Sequence, residues 1–246
     1  YINSQGVVTI NTTIDLSKID SKLTIMSYNI HHGVDASGKS NLNKITEIIN
    51  DRDIDIVGLN EVDRRMIRTG FKDQARIIAE KTGLNYVFGP NLKRFFGTYG
   101  NALLTRFPIL KAENHPLPRI NRNEPRGILD ATLLLPNKQH LRVLVTHLSV
   151  DPLERRLQIR WIENYISEIK TPFFLLGDFN DEMTAMLEME PIIKDIKTFP
   201  AKKPVNQIDY IFSNVQLITY DGKAIVTEAS DHLPVIITGK TDILPE

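Results

Sequence analysis

"PFFLLGDFN", residues 172–180, is an apolar run that stops at Asp178 and Asn180. An uninterrupted run of this kind reads as a strand covered on both faces. Its polar end carries groups that are unfavourable to bury without partners. The same layout recurs along the chain. "LTIMSYNI" (23–30) is β-branched and aromatic and carries Asn29; "IDIVGLNEV" (54–62) is almost continuously apolar and carries Glu61. The strand expected over 141–149 carries His147. "QIDYIFS" (207–213) holds Asp209 between Ile208 and Tyr210, and "SDHLPV" (230–235) sets Asp231 and His232 just before the strand expected over 233–239.

Helical patterns separate these strands. "LNKITEIIND" (42–51) spaces Leu42, Ile45, Ile48 and Ile49 as one helix face. "DQARIIAEKTG" (73–83) ends on Gly83, a C-terminal cap. "PLERRLQIRWIENYISEI" (152–169) opens on Pro152, with a stripe of Leu153, Leu157, Trp161, Ile162, Ile166 and Ile169 predicted to face the core. Further strands are expected at 86–89, 101–107, 127–135 and 225–230, with "PNKQ" (136–139) as a hairpin turn. Residues 1–22 are polar and read as a tail or an edge strand. No linker or fixed-period repeat divides the rest, so 23–246 reads as one mixed α/β domain with two packed sheets and helices outside.

Composition narrows the function. The chain has 30 basic and 30 acidic residues, so it lacks the excess positive charge of a nonspecific nucleic-acid binder. It has no cysteine, which excludes disulfides, thiolate metal sites and cysteine nucleophiles. No stretch is long and apolar enough for a membrane-spanning helix. The numbering opens on Tyr1 rather than Met, and a removed leader would place the protein in the periplasm or outside the cell rather than in the cytoplasm. A monomer is expected.

Singly, each polar strand end has an ordinary reading as a cap, turn or surface residue. Together they are four carboxylates, two asparagines and two histidines in matching positions on separate strands. Oxygen donors of this kind suit Mg²⁺, with Mn²⁺ as the alternative, and two histidines beside carboxylates supply proton-transfer groups near neutral pH. Phosphate-ester hydrolysis requires both kinds of group.

In order, "SYNIHHG", "GLNEVD", "YGNALLTRFPI", "VTHL", "GDFN", "IDYIF" and "SDHLPV" resemble the motifs of the endonuclease/exonuclease/phosphatase (DNase I-like) superfamily, in the pattern of a compact bacterial member. The resemblance covers about residues 23–240. It implies a four-layer α/β/β/α sandwich and a divalent-metal-dependent phosphodiesterase or phosphomonoesterase. It further implies Asn29, Glu61 and Asp231 as metal ligands, Glu61 being the main one. Asp178 would activate or orient the attacking water and Asn180 would position it, His147 and His232 would contact the phosphate, and Asp209 would orient His232; which group is the base differs among members. Asp231 and His232 would then be adjacent because one serves the metal side of the phosphate and the other its non-bridging oxygen. Asn101 in "YGNALL" and Arg126 in "EPRG" are candidate substrate contacts.

The substrate is less legible. "FLLGDFND" and "NQIDYIF" lack the tryptophan, arginines and cysteine of the inositol 5-phosphatases they would otherwise resemble. A small or lipid-linked phosphate ester is favoured. A nuclease acting on DNA or RNA is the alternative, and a noncatalytic binding module would have lost at least one of these groups. Arg64, Arg65 and Arg68 form a basic loop after Glu61, and "LKRFFGTYG" (92–100) places Lys93 and Arg94 beside Phe95, Phe96 and Tyr99, suited to stacking a base or touching a lipid interface. His31 and His32 are expected to lie around the metal site or at the surface.

Overall fold

Two β-sheets lie face to face in the computed structural model, which describes residues 2–11, 22–120, 122–182 and 189–244. The first sheet takes β1 (Val8–Ile10), β2 (Lys22–Asn29), β3 (Ile56–Arg64), β4 (Asn85–Lys93) and β5 (Thr98–Thr105). The second takes β6 (Ile109–Pro116), β7 (Gly127–Leu134), β8 (His140–His147), β9 (Phe173–Asp178) and β10 (Asp209–Ser213). The chain then returns to the first sheet as β11 (Leu217–Ala224) and β12 (Val235–Thr241). Strand orders are β1-β4-β5-β3-β2-β12-β11 and β10-β9-β8-β7-β6. Helices α1 (Leu42–Asn50) and α2 (Gln74–Thr82) cover the first sheet, and α3 (Pro152–Ser167) covers the second. The result is the expected four-layer α/β/β/α sandwich.

The layers follow from side-chain alternation. In β2, Leu23 and Ile25 pack between the sheets, whereas Met26 and Tyr28 pack under α1 and α2. In β9, Phe174 and Leu176 face the first sheet, and Phe173 and Leu175 face α3. Both faces are buried, which is why these strands read as continuous apolar runs.

Among these pairs, β2 with β3 and β8 with β9 run parallel. Parallel neighbours need a crossover, and α1 and α3 supply the two. Asp151 caps α3 by accepting from the backbone N–H of Leu153 and Glu154, with Pro152 at the first turn. The carboxyl ends of both parallel pairs lie at the same end of the sandwich, and they carry Asn29, Asn60, His147 and Asp178.

Two sequence expectations change. Residues 225–230 are not a strand; they form the approach to Asp231, and the strand is the preceding segment, 217–224. That segment is an edge strand exposed on both faces, so it lacks the apolar alternation that marks a buried strand. Leu153 and Leu157 do not enter the core: they are exposed, and α3 instead buries Glu154, Gln158, Ile162 and Ile166. The rotation satisfies loop backbone, since Glu154 accepts from Ile120 N–H (2.6 Å) and Gln158 from Ser149 N–H (2.8 Å). At the N-terminus, Val8–Ile10 pairs with β4 as an edge strand, and residues 12–21 lie outside the described residues.

One asparagine ties the sheets together. Asn60 donates to Thr146 O (2.8 Å) and Asn101 Oδ1 (2.9 Å), and accepts from the N–H of Asp178 (3.0 Å). Its replacement by alanine would leave buried backbone groups of β8 and β9 unpartnered. We predict that Asn60→Ala lowers stability by about 3 kcal/mol. For a chain of this size the melting temperature should fall by roughly 6–12 °C. Thermal denaturation monitored by circular dichroism reads this directly, and a shift within error of zero would refute the inter-sheet role.

Candidate active site

Pairing register assembles the site. His147 stands opposite Asp178, and Asp178 opposite Asp209, so the three form one row across β8, β9 and β10. By alternation each shares the face of the apolar residues two positions before or after it, namely Val145, Leu176 and Ile211, which pack between the sheets. Asn29 follows Ile25 with the same parity on β2 and faces this row from the first sheet.

Glu61 breaks the parity. Leu59 and Val62 both pack toward the helices, and the register of β3 against β5 shifts between them. This is a bulge, and within it Glu61 takes a left-handed φ of 59°. The strained residue turns its carboxylate to the strand ends instead of into the helix layer. Gly177 has a different reason. A Cβ there would lie 1.9 Å from Thr146 O, so the close approach of β8 and β9 beneath Asp178 requires glycine.

Asn29 joins the halves. Its amide nitrogen donates to Asp178 Oδ2 (2.9 Å) and to Glu61 Oε1 (3.3 Å), while its Oδ1 accepts from the N–H of His31 (3.0 Å). Asp178 Oδ2 is also approached by His147 Nε2 (3.5 Å) and His232 Nε2 (3.7 Å). The backbone N–H of Asn180 donates to Asp178 Oδ1 (2.8 Å). One carboxylate is therefore surrounded by amide and imidazole nitrogens from both sheets. The Asn180 side chain donates to Leu148 O (2.9 Å) and lies 3.1 Å from His147 Nε2.

The two histidines are driven in opposite directions. Burial works against charge on His232, but the carboxylates of Asp209 and Asp178 overcome it and hold its pKa up at about 10. His232 Nδ1–H donates to Asp209 Oδ2 at 2.9 Å. His147 has burial and the Arg126 guanidinium acting together, and both push it well below the usual histidine value. Arg126 Nη1 lies 2.8 Å from His147 Nδ1 and Asn180 Nδ2 lies 3.1 Å from its Nε2; both neighbours are donors, and a neutral ring can accept from only one of them. Asp178 is raised to about 6 by burial, moderated by His232. Burial also opposes the charge on Glu61, but His32 and Asn29 prevail and keep this carboxyl well below the usual range.

Glu61 and Asp231 offer the oxygen donors that a hard divalent cation takes, whereas His31 and His32 offer imidazoles, which suit a transition metal. Glu61 and Asp231 are partly solvent-accessible carboxylates. His32 Nδ1 stands 3.8 Å from Glu61, His31 Nδ1 stands 3.8 Å from Asp231, and among the described residues neither of these nitrogens has a hydrogen-bond partner. Glu61, His31 and His32 thus form a group of converging ligand atoms. Asp178, Asp209 and His232 also converge, but there the histidine carries the proton that joins it to Asp209.

Two expected substrate contacts are placed differently. Asn101 is buried between the sheets, donating to Gly127 O (3.0 Å) and Val145 O (3.2 Å) and accepting from Asn60. Its amide is fully occupied in holding strands together. Arg126 reaches the site, but through His147 and Glu124 (2.9 Å). Sequence reading missed Asn60, whose only signal was an amide within the apolar run of β3. A cavity of about 240 Å³ opens beside His32 and Gly33, bordered by Arg68 and Lys72; a larger one of about 760 Å³ lies over β1 and β6 and touches none of these groups.

A family model described as the PGAP2IP C-terminal nuclease-like domain, of the endonuclease/exonuclease/phosphatase type, matches residues 20–210. The chain belongs to the endonuclease/exonuclease/phosphatase superfamily. Members of this superfamily are phosphoester hydrolases and typically use divalent metals. Protein cwh43 of Schizosaccharomyces pombe is 29% identical over 177 residues, which are 67% of this chain and 18% of cwh43. The chain therefore corresponds to less than a fifth of that relative's length. An endonuclease/exonuclease/phosphatase from Beutenbergia cavernae superposes with a TM-score of 0.70 at 20% identity, covering 89% of this chain and 72% of that one. The mannosyl-6-phosphatase Bt3783 of Bacteroides thetaiotaomicron superposes with a TM-score of 0.66 at 19% identity, covering 87% and 98%.

The His232–Asp209 pair predicts a pH dependence of stability. The folded pKa of His232, about 10, lies above its ordinary value of 6.5. Its pairing therefore stabilises the fold in full below pH 6.5, and the contribution is lost as pH rises from there through about 10. In metal-free protein the urea midpoint should fall across that window, and Asp209→Asn should flatten the slope. Identical slopes for both proteins would show that the pair does not hold the proton.

Proposed function

We propose that the protein is a divalent-metal-dependent phosphoesterase acting on a small or lipid-linked phosphate ester. The observation that carries this reading is the pair of histidines, one charged and one neutral, flanking a single carboxylate oxygen of Asp178. Environments that separate the protonation of neighbouring groups assign them different tasks.

The Asp178 carboxylate, with its pKa near 6, accepts a proton from a water placed at Oδ2. Asn29 orients that carboxylate through its 2.9 Å hydrogen bond, and Asn180 holds the other oxygen through its backbone. His232 presents a charged Nε2–H to a non-bridging phosphate oxygen, with Asp209 fixing the ring. His147 stands as a neutral imidazole beside the same oxygen of Asp178, with Arg126 at its Nδ1. Arg126 is a positioning residue here and does not grip the phosphate with both arms. A cation held by Glu61 and Asp231 would offset negative charge on the ester; Asn29, expected as a further ligand, turns its amide nitrogen to Glu61 and its oxygen to the His31 N–H, so it positions the carboxylate instead. A balanced charge of 30 basic and 30 acidic residues gives no general attraction for a long polyanion, which favours a small or lipid-linked ester over nucleic acid.

Hydrolysis of p-nitrophenyl phosphate and bis-p-nitrophenyl phosphate, with Mg²⁺, Mn²⁺ or EDTA, tests the reading. Turnover should require the metal and should be lost in Glu61→Ala. Asp178→Asn and His232→Gln should each lower kcat by about 10²–10⁴-fold. Near-normal turnover in either variant would overturn the assigned roles. Faster cleavage of a single-stranded oligonucleotide than of both esters would select the nuclease reading instead.

A further inference from the structure

The sandwich end that carries the site also carries apolar side chains that no part of the described chain covers. Phe95 is 93% exposed and Phe96 57% exposed at the tip of the β4–β5 hairpin; Ile67 and Phe71 are 61% and 57% exposed on the loop after β3. The Phe95 and Phe96 rings meet edge to face at 4.7 Å, and Phe71 and Phe96 at 6.4 Å, so the two loops present one patch. It lies beside the site. Arg64, three residues beyond Glu61, pairs with Thr98 at the base of the hairpin, and Thr98 also pairs with Lys93.

The rings are held outward by an ordered scaffold. Arg94 N–H donates to Gly97 O at 2.8 Å, closing the tip. Gly97 seats the hairpin on the neighbouring loop so closely that a Cβ would lie 2.5 Å from Arg65 O. The loop is closed by Arg65 N–H to Lys72 O (2.8 Å) and pinned by two 2.8 Å bonds from Arg68 to the buried Asp63. Phe71 takes a left-handed φ of 60°, a strained conformation for a bulky residue. Strain and order maintained around exposed aromatic rings are uneconomical unless something receives them.

The surrounding charge indicates what does. Arg64 and Arg68 pair with Asp73 and Asp63. Arg65, Lys72, Lys93 and Arg94 are exposed and, among the described residues, have no carboxylate partner. This is a local positive excess in a chain of zero net charge. The patch protrudes from hairpin and loop tips, a shape suited to entering a fluid interface. Other exposed apolar residues lie at the same sandwich end, Val150 and Val226 on loops and Leu153 in the first turn of α3.

We propose that this end docks on an anionic phospholipid bilayer, with the Phe71, Phe95 and Phe96 rings entering the headgroup boundary and the four cations contacting anionic headgroups. Docking of this kind places the opening of the site at the membrane surface. It does not depend on the reaction proposed above. Among the described residues no helix is long and apolar enough to cross a membrane, and the docking proposed here is made by these loops.

Sedimentation of the full chain with phosphatidylcholine vesicles, with and without phosphatidylserine, tests this. The protein should sediment with the anionic vesicles, and added salt should weaken the association. Phe95→Ser with Phe96→Ser should lower partitioning roughly tenfold or more, while turnover of a soluble ester is unchanged. Lys93→Glu with Arg94→Glu should remove the preference for phosphatidylserine. Failure to bind either vesicle would overturn the proposal, as would equal binding by the Phe95/Phe96 double variant. Saturation of the patch by a single-stranded oligonucleotide, or a dimer abolished by the same substitutions, would assign the surface to another partner and reject the bilayer.

Discussion

The 2.9 Å hydrogen bond from Asn29 to Asp178 crosses from one sheet to the other, where an unpaired carboxylate would be strongly destabilising. The strand ends meet at this point because the groups they carry satisfy one another. Asn60 repeats the logic one strand over, connecting the backbone of β8 and β9 to the first sheet. The same bonds that hold the sandwich closed therefore determine where the reactive carboxylate stands. Stability and reactivity are coupled here, since the polar groups that finish the core are also the chemical ones.

The electrostatics follow from the same crowding. Asp178 and Asp209 are almost completely buried, so they need a counter-charge, and His232 provides it. His147 is just as buried but has an arginine at its other nitrogen, so it remains neutral. Two residues of one type, on the same oxygen of Asp178, thus acquire different protonation from their outer neighbours alone. Glu61 lies toward solvent and is kept ionised by its surroundings, which leaves it suited to a cation. The site is divided into a dry side with fixed proton donors and a wetter side with oxygen donors.

Much of this was legible along the chain. Apolar runs buried on both faces, interrupted by helical patterns, imply two covered sheets, and the polar ends of the runs are the groups that meet. Period-two alternation even places Asn29, His147, Asp178 and Asp209 between the sheets, once Ile25, Val145, Leu176 and Ile211 are known to pack there. Strand β11 escaped notice because a doubly exposed edge has no apolar signature. The stripe on α3 misled for the opposite reason: Leu153 and Leu157 look like core, but loop backbone recruits Glu154 and Gln158 to the buried face.

The sequence by itself determined the order of the helices and the buried strands, the residue types available for chemistry and their positions at strand ends, because local periodicity and burial dictate those. Only the tertiary structure decided what each residue does there. Asn101 and Arg126 had the composition of substrate contacts, and their roles as inter-sheet tie and histidine partner depend on which strand lies opposite. Glu61 would point at the helices by alternation, and only the bulge in β3 brings it to the site. Protonation, too, belongs to the fold, since it is set by burial and by charges brought close from distant parts of the chain.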